Sequence, residues 1–598
     1  MRKTISILLC VMMLLSACVF AIPANAAPEG TAINNADEFL AMVSTAADAT
    51  EPTAKYYLAA DITLPASYAE PFWGILDGNG KTLTVTNPVF ADFSGEVKNL
   101  TIKGEIYYTD ADAAGFATTS SRGYTATKVT NNANVTVMGN GKHIGGFSAR
   151  IVNNKELGIP AECYFIDCVN NGNIYIDSTA DEKMRAGGFA GILDLSYFYN
   201  CVNNGNVYMK GNTNIGAGFV ARVALTAGSN GVEAFNCTNN GNVKVEETYI
   251  DKNGVAGAGT GGANAAGLFG YIGGSGNAGW YKMWGCTNNG DIDGPYEVAG
   301  IVAYVYASGS TAYVDIQFCQ NNGNLTYGRT YAPEGKVATD YCGPFVAYTN
   351  SPFTTIKYCI DTGTITERAD SVNTCDGQAF VGLSSADGLQ YDVQSVYVLN
   401  KEQYKWFTYN HQEKYIANCH EINVAEGIIV TTLEEIKSGK VAYLINQAAL
   451  NDEYDSAASF EIFEPTDYAW AGFTTDQVYS FGQKIGTDNA PTPSITGENW
   501  IVLNGDKYAN GAKVVEEETT KAPETTKAPE ETKAPETEAP ETEAPAVDTE
   551  APAQTEAPAQ TEAPADTEPA KSGCGSFVAG GIAILAILGT ALVIKKRD

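Results

Sequence analysis

The chain has 598 residues, 44% of them apolar, and a formal net charge of −32. That length leaves room for several hundred residues around a buried core. The acidic balance counts against binding nucleic acid or docking on anionic lipid.

The first 26 residues read as an export signal. Arg2 and Lys3 precede an apolar run from Ile5 to Leu15, and Ala24-Asn25-Ala26 closes it with an A-x-A cleavage site. Leu15-Ser16-Ala17-Cys18 also fits a lipoprotein box, but Val19 and Phe20 are apolar and favour cleavage near Ala26.

Residues 27–395 carry a repeated phrase. Cys168-Val-Asn-Asn-Gly-Asn-Ile returns after Cys201, Cys237, Cys286 and Cys319 and decays at Cys359, at intervals of 33, 36, 49, 33 and 40 residues. Its second asparagine is Asn171, Asn204, Asn240, Asn289 and Asn322. Asn and Gly tolerate the left-handed backbone region, so the phrase is a turn. Alternating residues such as Ile174-Tyr-Ile then predict a strand. Between phrases lies an apolar tetrad: Gly115-Phe-Ala-Thr, Gly146-Phe-Ser-Ala, Gly188-Phe-Ala-Gly, Gly218-Phe-Val-Ala, Gly267-Leu-Phe-Gly and Gly300-Ile-Val-Ala. Three short strands in a unit of 33 residues fit one coil of a parallel β-solenoid. A propeller blade needs about 40–45 residues and four strands. Stacked coils place equivalent residues in columns about 4.8 Å apart.

The cysteine column has three readings. Buried thiols packing as small hydrophobes are favoured. Disulfides between adjacent coils fit the Cα spacing but stretch the Cβ distance. A metal site lacks C-x-x-C and neighbouring His.

Gly267-Leu268-Phe269-Gly270 followed by Cys286-Thr-Asn-Asn-Gly-Asp-Ile resembles the GLUG-type repeat of large secreted and surface proteins of bacteria, some of them adhesins or parts of surface peptidases. The opening segment, with Tyr57-Leu-Ala-Ala-Asp-Ile-Thr-Leu and Gly74-Ile-Leu-Asp-Gly-Asn-Gly-Lys-Thr-Leu, is similar to the entry coils of such proteins. The resemblance implies an all-β, right-handed parallel β-helix like that of filamentous adhesins.

Residues 396–512 differ in texture. Leu433-Glu-Glu-Ile through Ala449 predicts helix, and an α+β module here is expected to cap the open end of the last coil. Residues 513–572 form a Pro/Thr/Glu-rich stalk, extended and solvated. Residues 573–594 read as a transmembrane helix, and Lys595-Lys596-Arg597 within 595–598 as a cytoplasmic tail. The expected location is the surface of a Gram-positive-type cell, with a single-pass anchor.

Catalytic and metal residues are not indicated. Asp77, Asp291, Asp293, Asp361, Glu367 and Asp370 sit at turns. His143, His411 and His420 form neither a metal pair nor a triad, and no G-x-S-x-G, H-E-x-x-H or P-loop occurs. No cofactor is expected. The chain has 33 tyrosines, among them Tyr107, Tyr108, Tyr271, Tyr281, Tyr296, Tyr304 and Tyr306 at loops or strand ends. Trp280, Tyr281 and Trp284 fall in the longest interval beside Gly-rich flanks, which predicts a mobile aromatic loop as the ligand site. The expected role is adhesion or binding of polysaccharides, host surfaces or neighbouring-cell proteins, without catalysis. The alternatives are a carbohydrate-active lyase or hydrolase and a structural envelope protein.

Overall fold

The computed structural model describes residues 28–514 except 152–160, 178–183, 212–213, 225–230, 248–262, 275–278, 308–311, 331–339, 352, 373–378, 384–389, 404–405, 410–426, 452–478, 484–487, 495–499, 504–505 and 510–511. The expected signal and membrane span, and the expected stalk beyond Val514, lie outside the described residues; Lys513 and Val514, placed at the start of the stalk, belong instead to the strand Ala512–Val514. Among the described residues no helix is long and apolar enough to cross a membrane.

The coil around Gly188 shows the plan. Met184–Gly187 passes through Gly188 and Phe189 into Ala190–Leu193, and Ser196–Tyr199 follows. The chain turns at Asn200 and Cys201 into Val202–Asn203 and, after the Asn-Gly turn, Val207–Gly211. Each strand pairs in parallel with its equivalents one coil away. Ala190 faces Ser148 and Val220, Ser196 faces Cys163 and Val232, and Val202 faces Val169 and Thr238. This is a parallel β-helix, as the 33-residue unit predicts. Parallel pairing continues past 395: Trp406–Tyr409 pairs with Ala379–Leu383, and Ile428–Val430 with Val396–Val398. At the other end the short helix Ala36–Leu40, capped by the Asn35 side chain, lays Phe39 against Phe90 at 5.5 Å.

Columns of like residues fill the interior. Phe147, Phe189 and Phe219 stack at 4.9 and 4.6 Å, and Phe165 stacks on Phe198 at 5.0 Å. Cys168, Cys201, Cys237, Cys286 and Cys319 form another column. All eight described cysteines are buried free thiols. Burial pushes the Cys163 thiol up to about 12 and holds Cys168 and Cys201 well above the usual range.

A buried polar column runs beside them, made by the first asparagine of the phrase. Asn131, Asn170, Asn203, Asn239 and Asn288 each donate Nδ2–H to the Oδ1 of the next coil's asparagine, at 2.8–2.9 Å. Each amide also donates to its own turn, as Asn203 does to the Gly205 carbonyl at 2.8 Å. The chain ends where Asn321 donates to Asp361, whose other oxygen accepts from Gln403 at 3.1 Å. A carboxylate suits that last place because it brings no donor that would need a further coil.

The tetrad glycine makes room for this column. A Cβ at Gly188 would lie 2.1 Å from the Gly218 carbonyl oxygen and 2.4 Å from Asn203 Oδ1. Gly146, Gly218, Gly267 and Gly300 face Asn170, Asn239, Asn288 and Asn321 in the same way. The two halves of the repeat are thus one packing unit.

The residue before each column cysteine sits at positive φ. It is Asp167, Asn200, Asn236 and Gly285 in the earlier coils, all of which tolerate that region, but Phe318 (φ 52°) and Tyr358 (φ 56°) later. Those two aromatics meet the C-terminal segment. Phe318 lies 5.8 Å from Tyr479 and 6.0 Å from Phe481, and one apolar cluster joins Phe235, Trp284, Phe318, Tyr358 and Tyr397 with Ile436, Val441 and Ile445. The strained backbone is repaid by this contact. The helices concerned, Leu433–Lys437 and Lys440–Asn451, start at a capping box between Thr432 and Glu435. The expected placement over the open end is corrected here: these described residues lie along the flank, because aromatic corners of successive coils offer an apolar strip there.

Candidate functional site: two outward rows

The expected aromatic loop is a strand. Gly279–Trp284 pairs with Gly231–Phe235 and Ala312–Gln317, so its side chains alternate in and out. Tyr281 points into the core and is fully buried. Trp284 points outward but lies edge-on to Tyr479 at 5.9 Å, with its Nε1–H donating to Asp315 at 2.9 Å. Only Trp280 keeps partial exposure, stacked at 4.4 Å on Tyr313, which stacks in turn on Phe353 at 4.7 Å. The reading of 280–284 as one exposed cluster is corrected: glycines at its edges suggested a loop, but alternation and coil register make it a strand. The glycine-rich flank 254–262 lies outside the described residues.

The second asparagines form an exposed ladder. Asn171, Asn204, Asn240, Asn289 and Asn322 each donate to the preceding coil, at 2.7–2.8 Å, opposite in sense to the buried column. The candidate carboxylates are turn or ladder groups. Asp77 accepts from Asn79 and Asn99, Asp291 from Asn324, and Glu367 from Tyr327, while Asp293 pairs with Arg368 and Asp370 is exposed. His411 and His420 lie outside the described residues. Among the described residues no three His, Cys, Asp or Glu side chains gather as a metal site.

The structure assembles a different set. Three residues before each tetrad glycine, register aligns Asp112, His143, Arg185, Ile215, Asn264, Glu297 and Tyr341 in one outward row. Four residues after it, Thr119, Arg150, Ile192, Arg222, Tyr271, Tyr304 and Tyr348 form a second. In the last coil Pro344 takes the glycine's place. Small residues sit in the angle between the rows: a Cβ at Gly270 would come within 2.5 Å of Ile215 Cγ2. The rows therefore form the two walls of a re-entrant angle.

Along the second row Tyr271 and Tyr304 rings lie 5.1 Å apart, and Tyr304 and Tyr348 5.0 Å apart. Tyr306 adds an exposed ring 6.3 Å from Tyr304, and Tyr341 packs 5.2 Å from Tyr348. The Arg222 guanidinium stands 5.2 Å over the Tyr271 ring. In the first row Asp112 Oδ2 lies 2.8 Å from His143 Nδ1, and His143 Nε2 lies 2.9 Å from Arg185 Nη1. The arginine donates there, so Nδ1 carries the His143 proton and Asp112 accepts it. Burial, then the neighbouring Arg222 and Arg150, pulls Arg185 down to about 10.

Several polar atoms in this angle are buried with no hydrogen-bond partner among the described residues: Arg185 Nε, Arg222 Nε, Asn264 Oδ1 and Glu297 Oε2. Burial, followed by Asp340, holds the Glu297 carboxyl well above its usual range. Burial also raises Asp340 to about 6, although it pairs with Arg329 at 2.6 Å. Orphaned donors and acceptors of this kind cost about 1–3 kcal/mol each, so their gathering along one face calls for a ligand or a role. Along the sequence the tyrosines stand singly, and their alignment shows only when they are counted from the tetrad glycine.

Among solved structures, the crystal structure of a "putative immunoglobulin A1 protease" from Bacteroides ovatus is similar over 73% of this chain and 92% of its own, with 13% identity and a TM-score of 0.28. No family model matches the sequence, and no curated protein matches it.

Proposed function

We propose that the protein is a bacterial surface protein of the GLUG-repeat kind that binds an extended glycan along the two outward rows. The observation that carries this reading is the ladder Tyr271–Tyr304–Tyr348, partly exposed rings that follow one another coil upon coil at 5.1 and 5.0 Å, tilted by 47° and 32°. Sugar rings stack on such faces. The coil rise of about 4.8 Å is close to the length of one pyranose unit, so successive tyrosines can meet successive sugars. An export signal would send the chain across the membrane, an acidic stalk and a C-terminal span would hold it at the cell surface, and the aromatic flank contact fixes residues 433–451 to the β-helix. Adhesion to a glycan-coated surface follows from that arrangement.

The test is retention of full-length protein on a panel of immobilised polysaccharides. Tyr304→Ala should weaken retention about tenfold or more, the loss of one central aromatic anchor. Unchanged retention by a folded variant would move the site elsewhere.

One observation favours the carbohydrate-active enzyme as a second reading. Glu297 is a buried carboxyl beside the tyrosine ladder, held well above its usual range by burial and then by Asp340, and Asp340 adds a second raised carboxyl. A neutral carboxyl beside a glycan could protonate a leaving oxygen. Release of new reducing ends from a bound polysaccharide, abolished by Glu297→Gln, would establish it. Retention without cleavage leaves the binding reading standing.

A further inference from the structure

We infer that the glycan bound along the two rows is acidic, and that Arg150, Arg185 and Arg222 hold its carboxylate or sulfate groups. This rests on the binding reading above and names its ligand class. Three successive coils each contribute one arginine to the same angle: Arg150 and Arg222 in the second row, two coils apart, and Arg185 in the first row on the coil between. In a chain of net charge −32, such a cluster is a local exception to the field of the molecule. The cations also stand close enough to repel one another, which an anion between them would relieve.

Their bonding within the protein is incomplete. His143, fixed by Asp112, takes Arg185 Nη1 and leaves Nε without a partner among the described residues. Arg222 lies over Tyr271, and its Nε is likewise without one. No carboxylate among the described residues forms an ion pair with any of the three. A guanidinium presents parallel N–H groups that match the two oxygens of a carboxylate or sulfate. The tyrosine ladder starts in the next coil, so a chain held by its charges at the arginines would lay its rings on Tyr271, Tyr304 and Tyr348. The negative field of the rest of the molecule would keep polyanions off other faces.

The experiment compares full-length protein on polygalacturonate, on dextran sulfate and on unmodified dextran, with Arg150→Gln, Arg222→Gln, Arg222→Lys and Tyr304→Ala variants checked for native melting. The expected result is binding to one or both acidic polymers and not to dextran. Arg222→Gln should weaken it about tenfold, as loss of a charge-assisted contact does. Arg222→Lys, which keeps charge without the fork, should fall between. Carboxylate and sulfate are told apart by which acidic polymer is held. Equal binding to dextran, unaffected by the arginine variants but lost in Tyr304→Ala, would overturn the acidic ligand and keep the glycan site. Binding to none of the polymers would overturn both.

Discussion

Two positions on either side of the same glycine behave in opposite ways. Directly after it the chain places Phe116, Phe147, Phe189, Phe219, Leu268 and Ile301, all buried and nearly alike. Three before it come Asp112, His143, Arg185, Ile215, Asn264 and Glu297, with no two alike. Inside the coil each residue's neighbours above and below are its own equivalents, so a side chain that stacks well on itself is favoured at every level. Outside, coil packing asks only for strand register. Arginine, asparagine and glutamate there bring orphaned polar atoms that stability alone would remove. In a repeat protein the regular positions describe the scaffold, and the irregular ones, read in columns, describe the site.

The largest expected effect tests where inside ends. Trp284 points outward but is sealed under Tyr479 and bonded to Asp315, whereas Trp280, on the same strand face, is stacked and half-exposed. Trp284→Ala should cost about 3–5 kcal/mol, the usual loss for a buried aromatic. Trp280→Ala should cost about 1 kcal/mol, the worth of an aromatic stack. Urea unfolding of the two variants measures both. Equal costs would mean that the flank is interior throughout.

The architecture was legible because the Asn-Asn-Gly phrase and the tetrad sit at nearly constant distance and admit only short strands. The cysteine column followed from the same repeat. Coil stacking also implies that turn asparagines bond the asparagine of the next coil, as they do; what the repeat alone does not tell is that one ladder is buried, because Asn170 and Asn171 look equivalent until strand alternation assigns one to each face. The candidate site was hidden for a related reason: Arg222, Tyr271 and Tyr304 are far apart in sequence, and each looks like an ordinary strand residue. Trp280, Tyr281 and Trp284 attracted attention because they are close in sequence, yet alternation sends Tyr281 into the core. Tyr479 reaches Trp284 across nearly two hundred residues, and local pattern cannot show that.

A second test uses pH on an outward residue enclosed like an interior one. Burial raises the Asp315 carboxyl from 3.8 to about 6, against the opposing hydrogen bonds from Gln317 and Trp284. The folded state therefore holds this proton more tightly than the unfolded state. Its contribution to stability is greatest below about pH 4 and is lost as pH rises through about 6. Asp315→Asn cannot ionise. Relative to the parent, it should gain on the order of 2–3 kcal/mol between pH 4 and pH 7, measured by denaturant unfolding at the two values. A constant difference would show that water reaches Asp315 and that the flank is open.

The smallest effect separates two adjacent asparagines. Asn203 and Asn204 both take part in ladders with bonds of 2.7–2.8 Å, but Asn203 is buried and its partners have no water to turn to, while Asn204 is exposed. Asn203→Ala leaves Asn239 Oδ1 and the Gly205 carbonyl without their donor, a cost of about 2 kcal/mol. Asn204→Ala should cost about 0.5 kcal/mol, because water replaces the lost bonds. Asn203→Asp should be worse than alanine, since it sets a carboxylate oxygen against Asn239 Oδ1 in the middle of a column whose donors all point one way. At Asp361 the same group is native because Gln403 supplies the missing donor. Thermal unfolding of the three variants ranks them. If Asp at position 203 were tolerated as well as alanine, the buried column would have no fixed polarity, and its ending at Asp361 would need another cause.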